Sequence, residues 1–194
     1  MLLTFVVERR LLKSDSKNLL EIAKTLFQTL KNRSELMVDL AYSAILFNAK
    51  DIAEDVEEME DEIDNIHVLF EESILKLAHI IEDPEKLHSL LRLGIATENI
   101  ADAANEIASI TLREVEVHPV FQRIISEADE TIIRVKVSST SELVGKKIVE
   151  TRIQDRTGMR IIAIKRRGDW IYGPSKDEKI EAEDIIIARG AIEG

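Results

Sequence analysis

The sequence predicts a mainly helical domain followed by a small α+β domain: an antiparallel three-helix bundle, then about four strands. Three observations predict it. Apolar residues recur at intervals of three and four from Leu19 to Leu112, the period changes to two at Thr131, and no Gly or Pro occurs from Met1 to Ile81.

In chain order, Ser14-Asp15-Ser16 offers side-chain oxygens to cap a first helix, expected over residues 16–48. Its seam is Leu19, Ile22, Leu26, Leu30, Met37, Leu40, Ala44 and Phe47, interrupted by Arg33. Asn48 or Asp51 marks the turn. A second helix is expected from about residue 50 to 81, with Ile52, Val56, Met59, Ile63, Ile66, Phe70, Ile74, Leu77 and Ile81 on its seam. Glu82-Asp83-Pro84 is a boundary, with Asp83 as cap and Pro84 at the first helical position. The third helix carries Leu87, Leu91, Gly94, Ala101, Ala108 and Leu112 inward. Three long helices with short turns make a bundle.

His118-Pro119 ends that pattern, and Val120 to Ala128 reads as a short amphipathic helix. The domain boundary is expected near residue 125, giving domains 1–125 and 126–194. Thr131, Ile133, Val135 and Val137 then alternate with Ile132, Arg134 and Lys136, the pattern of a half-buried strand. Ser138–Ser141 turns the chain and residues 142–157 suit a short helix. Strands follow around Met159–Ile164, Trp170–Tyr172 and Ile185–Ala188. Trp170 and Tyr172 read first as packing on a strand face, secondly as a dimer contact.

With 194 residues, 45% hydrophobic and 32% charged, the chain has the composition of a soluble globular protein. It has no cysteine, which excludes disulfides and thiolate metal sites. No apolar stretch approaches twenty residues, so no membrane insertion is expected, and the cytoplasm is the expected location. The apolar Met1–Val7 precedes its charges, the wrong order for a signal peptide, and reads as a docking segment or helix start. Residues 1–130 hold 13 basic against 27 acidic residues, and residues 131–194 hold 13 against 10. So strongly acidic a first domain will not attract nucleic acid by its general field, and no nucleic-acid partner is expected.

The acid is concentrated. From Glu54 to Asp64 eight of eleven residues are carboxylates, on a helix whose apolar seam runs straight through them. Solvent and salt, a basic partner or bound cations must offset that repulsion. Glu60 and Asp64 stand four apart beside the seam, as do Glu98 and Asp102 on the third helix. Both helices thus present hard oxygen ligands where they meet. The candidate metal ligands are Glu60, Asp64, Glu98 and Asp102, for Mg, Mn, Fe or Ca; without inward His or Cys, zinc is less favoured. The plain alternative is that these are solvated edge charges.

Val56-x-x-Met59-Glu60-x-x-x-Asp64 and Glu98-Asn99-Ile100-Ala101-Asp102 resemble the two acidic signatures of PhoU-like helical bundles. The resemblance covers roughly residues 16–115, one three-helix half of the usual two-repeat protein. It implies metal binding on the bundle and a part in regulating phosphate uptake. Leu143-x-Gly145-Lys146-x-Ile148, Gly158-x-x-Ile161-x-Ala163-Ile164-x-Arg166, Pro174 and Asp184-x-Ile186-x-x-x-Gly190 resemble the carboxy-terminal RCK domain, also called TrkA-C. That resemblance spans residues 131–194. It implies an intertwined homodimer, a membrane cation transporter or channel (chiefly for potassium) as partner, and a regulatory ligand at the dimer interface, in some members a cyclic dinucleotide.

The candidate ligand-binding residues are Arg160, Ile162, Arg166, Arg167 and Pro174, since arginine forks suit a phosphate or nucleotide. The alternative for these arginines is an exposed strand end or a dimer contact. His67, His79, His88 and His118 show no catalytic or zinc spacing, and read as surface or seam residues. No nucleophile, base and oxyanion constellation can be assembled, so no enzyme is expected. The expected function is non-enzymatic regulation of cation transport through a dimerising, ligand-sensing TrkA-C domain. The alternative is a metal-binding, PhoU-like regulator of phosphate uptake.

Overall fold

The computed structural model describes residues 16–113, 118–126 and 130–191. The expectations for Met1–Val7 and for a cap at Ser14-Asp15 lie outside them. The chain divides into two compact units, Met1–Glu114 and Val115–Gly194, somewhat before the expected boundary at 125.

The first unit is a bundle of α1 (Ser16–Phe47), α2 (Lys50–Ala78) and α3 (His88–Leu112). The predicted seams are its core: Leu19, Leu30, Met37, Leu40 and Ala44 of α1 are buried, as are Ile52, Val56, Met59, Ile63, Phe70, Ile74 and Leu77 of α2. Asn48 makes the turn after α1. Its φ of 47° is left-handed, a region Asn tolerates. The Ala49 N–H donates to Ala44 O and the Asn48 N–H to Ile45 O, which closes the helix end. Arg33, the one break in the α1 seam, forms an ion pair with Glu62 of α2.

Helix α2 stops at Ala78, three residues before the expected end, and Pro84–Leu87 is a short 3-10 turn rather than the first turn of α3. Asp83 makes no side-chain cap hydrogen bond; its carboxylate pairs instead with Lys86 at 3.0 Å. Gly94 sets the spacing of α2 and α3. A Cβ there would lie 2.7 Å from the ring of Phe70, which is itself 1% exposed and within 5.6 Å of Phe27 of α1.

In the second unit α4 (Pro119–Ser126) precedes an antiparallel sheet of β1 (Glu130–Lys136), β2 (Arg160–Arg166), β3 (Asp169–Tyr172) and β4 (Ile185–Ala191), in the order β1-β4-β2-β3. Residues 142–157 form two short helices, α5 (Ile148–Thr151) and α6 (Ile153–Thr157), rather than one. Arg152 between them has a left-handed φ of 51°, which no continuous helix allows. Val137, Met159, Ile161, Ile164, Ile180, Ile186 and Ala188 form the core on one sheet face, under Leu143, Val144, Ile148 and Ile153. Gly190 is required here, because a Cβ would lie 2.4 Å from the carbonyl oxygen of Gly158.

A candidate carboxylate cluster and a candidate ligand groove

The seam between α2 and α3 brings the predicted acids together. Carboxylate oxygens of Glu60, Asp64 and Asp102 all lie within 4.8 Å of one another. A hard divalent cation with bonds of about 2.1–2.4 Å holds opposite oxygens about 4.2–4.8 Å apart, so the three residues fit one ion completed by water. Glu98 belongs to the same field. Burial and then the charges of Asp64 and Asp102 push the Glu60 carboxyl above the ordinary glutamate range. Burial and then Asp102 do the same to Glu98, opposed by His67. Among the described residues none of the four has an ion pair with Lys or Arg.

The sequence expectation of no inward histidine needs correction. The His67 side chain is only 13% exposed, and its Nε2 is buried with no hydrogen-bond partner among the described residues, 3.6 Å from Glu71 Oε1. Its nitrogen lies beside Gly94 of α3, 3.4 Å from where a Cβ would sit. His67 follows Asp64 by three residues and Gly94 precedes Glu98 by four, so the nitrogen lies about one helical turn along the seam from the oxygens. The signal was the glycine, read in the sequence as a seam position only.

The predicted ligand-binding residues fall into two groups. Arg160 and Arg166 are at opposite ends of β2, about 20 Å apart by the strand rise, and cannot share one phosphate. Arg166 is occupied within the domain. Its guanidinium donates to both carboxylate oxygens of Asp184 (3.0 and 2.9 Å), to Glu178 (3.0 Å) and to the Lys179 carbonyl (2.6 Å). The hydrogen bond to Asp184 is the main cause raising its pKa further. Arg167, beside it at the hairpin, is 82% exposed and pairs with Glu181 at 3.1 Å. At the other end, Ile162 is the extra residue of a bulge in β2 and is 1% exposed. The Gly173 N–H donates to its carbonyl, bringing half-buried Pro174 alongside. Arg160 is exposed, with Arg189 as its cross-strand neighbour.

Trp170 and Tyr172 stack at 5.8 Å, with Lys165 5.2 Å over the Trp170 ring. Their register partners, Lys165 and Ala163, put them on the face opposite Ile171 and Ile164.

On the core face the structure holds a groove of about 590 Å³ that sequence reasoning missed. Ile133, Val135, Leu143, Ile153 and Met159 line it, with the hydroxyl-bearing Thr131, Ser138, Ser141 and Thr157. The signal was present in the alternation of Thr131, Ile133, Val135 and Val137. Only Val137 is buried (4%), whereas Ile133 is 38% and Val135 48% exposed, because the layer over the sheet stops short of β1.

Residues 132–194 match the family model of the TrkA-C domain, and residues 27–111 that of the PhoU domain. The chain thus carries a PhoU domain followed by a TrkA-C domain. Both are regulatory rather than catalytic modules.

Among solved structures, the RCK_C domain dimer of S. agalactiae BusR in complex with c-di-AMP is 34% identical, over 32% of this chain and 82% of that one, at a TM-score of 0.30. The RCK C domain of the potassium transport protein KtrA in complex with cyclic diadenosine monophosphate is 29% identical, over 38% of this chain and 81% of that one, at 0.31. BusR in complex with its busA-promotor DNA is 23% identical, over 64% of this chain and 61% of that one, also at 0.31. No curated protein matches. No helix among the described residues is long and apolar enough to cross a membrane.

Proposed function

We propose that this protein is a non-enzymatic regulator of cation transport, potassium foremost, whose TrkA-C domain pairs with a second copy and senses a small nucleotide-type ligand. The TrkA-C match across residues 132–194 carries this reading. The apolar, hydroxyl-edged groove beside β1 supports it, since a base or sugar edge suits such a lining. Of the ligand candidates, Ile162 and Pro174 are near neighbours, none of Arg160, Ile162 and Pro174 lines that groove, and Arg166 serves the domain's own acids. A ligand changes the output only by favouring one conformation of the pair over another.

Equilibrium dialysis with cyclic di-AMP, ATP and NAD tests the reading. Binding of one of them at sub-millimolar concentration is expected, and no binding of any would sink the sensor.

A second reading has its own observation. The oxygens of Glu60, Asp64 and Asp102 gather with no basic partner among the described residues, which favours a divalent cation on the bundle and, with the PhoU match, a role in phosphate uptake. Those three residues would hold the ion, with Glu98 beside them, and the ion would supply the positive charge the seam lacks. Uptake of Mn²⁺ should disappear when Glu60, Asp64, Glu98 and Asp102 are all changed to Ala.

A further inference from the structure

Helix α3 carries two apolar rows. Gly94, Ala101, Ala104, Ala108 and Thr111 are buried within the bundle. The second row, Leu93, Ala96, Ile100, Ala103, Ile107 and Ile110, runs almost the whole length of the helix and is left at the surface. Leu93 is 49% and Ile100 48% exposed; Ala96 and Ala103 are exposed too, and Ile107 and Ile110 are half-buried. Its steps of three, four, three, four and three are those of the a and d positions of a heptad, and no charged residue stands in it. Such a row is a seam for another helix, and the bundle's own two helices pack on the other row.

We propose that this row packs on the same row of a second copy, the two α3 helices running antiparallel with Ile100 of each against Ala103 of the other. The choice of occupant follows from the order of residues. In an antiparallel helix pair each a position meets a d position of its neighbour. Reversed against itself, the row sets Leu93 on Ile110, Ala96 on Ile107 and Ile100 on Ala103, and then the same three contacts in reverse. Every alanine meets an isoleucine, so large and small side chains interlock in all six layers. A parallel pair would set Ala96 on Ala96 and Ala103 on Ala103, two layers with a void. Antiparallel registers slipped by one heptad keep only four layers. The row is its own complement, which selects a second copy over an unrelated helix. Charge agrees with this choice. Glu98 and Asp102 lie roughly half a turn round α3 from the row, so the acidic faces of the two bundles point away from one another. The contact goes beyond the regulator reading and stands whether or not the TrkA-C domains pair.

Because the protein has no cysteine, introduced thiols read the register directly. In the full-length double variant Ala96→Cys, Ile107→Cys the two thiols of one chain are about 16 Å apart along the helix, too far for a disulfide within it. Across the proposed contact each faces its counterpart in the other copy. Helix axes about 8 Å apart, the close limit that small residues permit, bring facing Cα atoms within disulfide range. Under mild oxidation the double variant should run as a cross-linked dimer on a denaturing gel, and Ala96→Cys or Ile107→Cys alone as monomers. Adding Ile100→Lys to the double variant should slow cross-linking at least tenfold while leaving the helical circular dichroism unchanged, since Ile100 is outside the bundle core.

If the double variant keeps its helicity but does not cross-link, the pairing is wrong and the row belongs to some other partner. If Ala96→Cys alone cross-links as fast as the double variant, the helices are parallel and the antiparallel register fails. If Ile100→Lys leaves the rate unchanged, the cross-link is collisional and the pairing fails as well.

Discussion

On the α2–α3 seam, Glu60, Asp64 and Asp102 converge with no basic side chain paired to them among the described residues; in the TrkA-C domain, Glu178, Glu181 and Asp184 converge on Arg166. The two clusters have similar acid content and opposite electrostatics. Around Arg166 each carboxylate gains a partner, and Asp184, 1% exposed, also accepts the Glu181 N–H at 2.8 Å. Burial is tolerated there because charge and hydrogen bonds are satisfied within the domain. On the seam, burial and mutual repulsion raise Glu60 and Glu98 instead. A cluster neutralised from within is part of the fold. A cluster left negative is available to a cation from outside.

The largest way to break this contrast is to remove the internal partner. Asp184→Ala leaves a mostly buried guanidinium without its main acceptor, and should cost about 3 kcal/mol. Trp170, the only tryptophan, reports that domain in a urea melt. A loss below about 1 kcal/mol would show that Arg166 is held by solvent rather than by Asp184.

Next is the converse test on the bundle. A divalent cation at a hundredfold excess over its dissociation constant should stabilise the protein by about 2.7 kcal/mol. The variant with all four acids changed to Ala should gain nothing. Equal gains in both would remove the distinction between the two clusters.

A smaller effect is expected at Gly94. The added methyl of Gly94→Ala meets the buried Phe70 ring, and overpacking should outweigh the gain in helix propensity by about 1 kcal/mol. Because it pushes α2 from α3, it should also weaken Mn²⁺ uptake in dialysis.

The smallest concerns pH. A carboxyl whose folded pKa is raised binds more protons in the native state than in the unfolded one, so its stability contribution falls as pH rises from the ordinary glutamate range through the raised value. Without divalent cations, the double variant Glu60→Gln, Glu98→Gln should therefore exceed the unmodified protein by a few tenths of a kcal/mol at neutral pH, a small figure because both groups are largely solvated. The two should converge below the ordinary glutamate range. A constant gap from acid to neutral pH would mean the acids do not repel one another.

Helix seams were legible because a 3.6-residue period survives single interruptions such as Arg33, whose ion pair with Glu62 keeps it compatible with the bundle. The i,i+4 acids were legible for the same reason: spacing on one helix fixes which residues share a face. Other features were not. Nothing near Arg166 in the chain marks Asp184, eighteen residues on, as its acceptor, and the same residue looked like a free phosphate ligand. The sequence places Asp83 as a helix cap, but the chain there makes a 3-10 turn and its carboxylate pairs with Lys86.

By itself the sequence determined what repeats locally: three amphipathic helices, the change of period at Thr131, the absence of thiols and the uneven charge. Tertiary structure alone decided which surfaces stay open and which charges find partners. His67 lies beside Gly94 of another helix with its Nε2 buried, and Ile133 and Val135 stay exposed while Val137 on the same face is buried. Periodicity is a property of neighbouring residues along the chain, whereas burial and charge compensation depend on residues that meet only after folding.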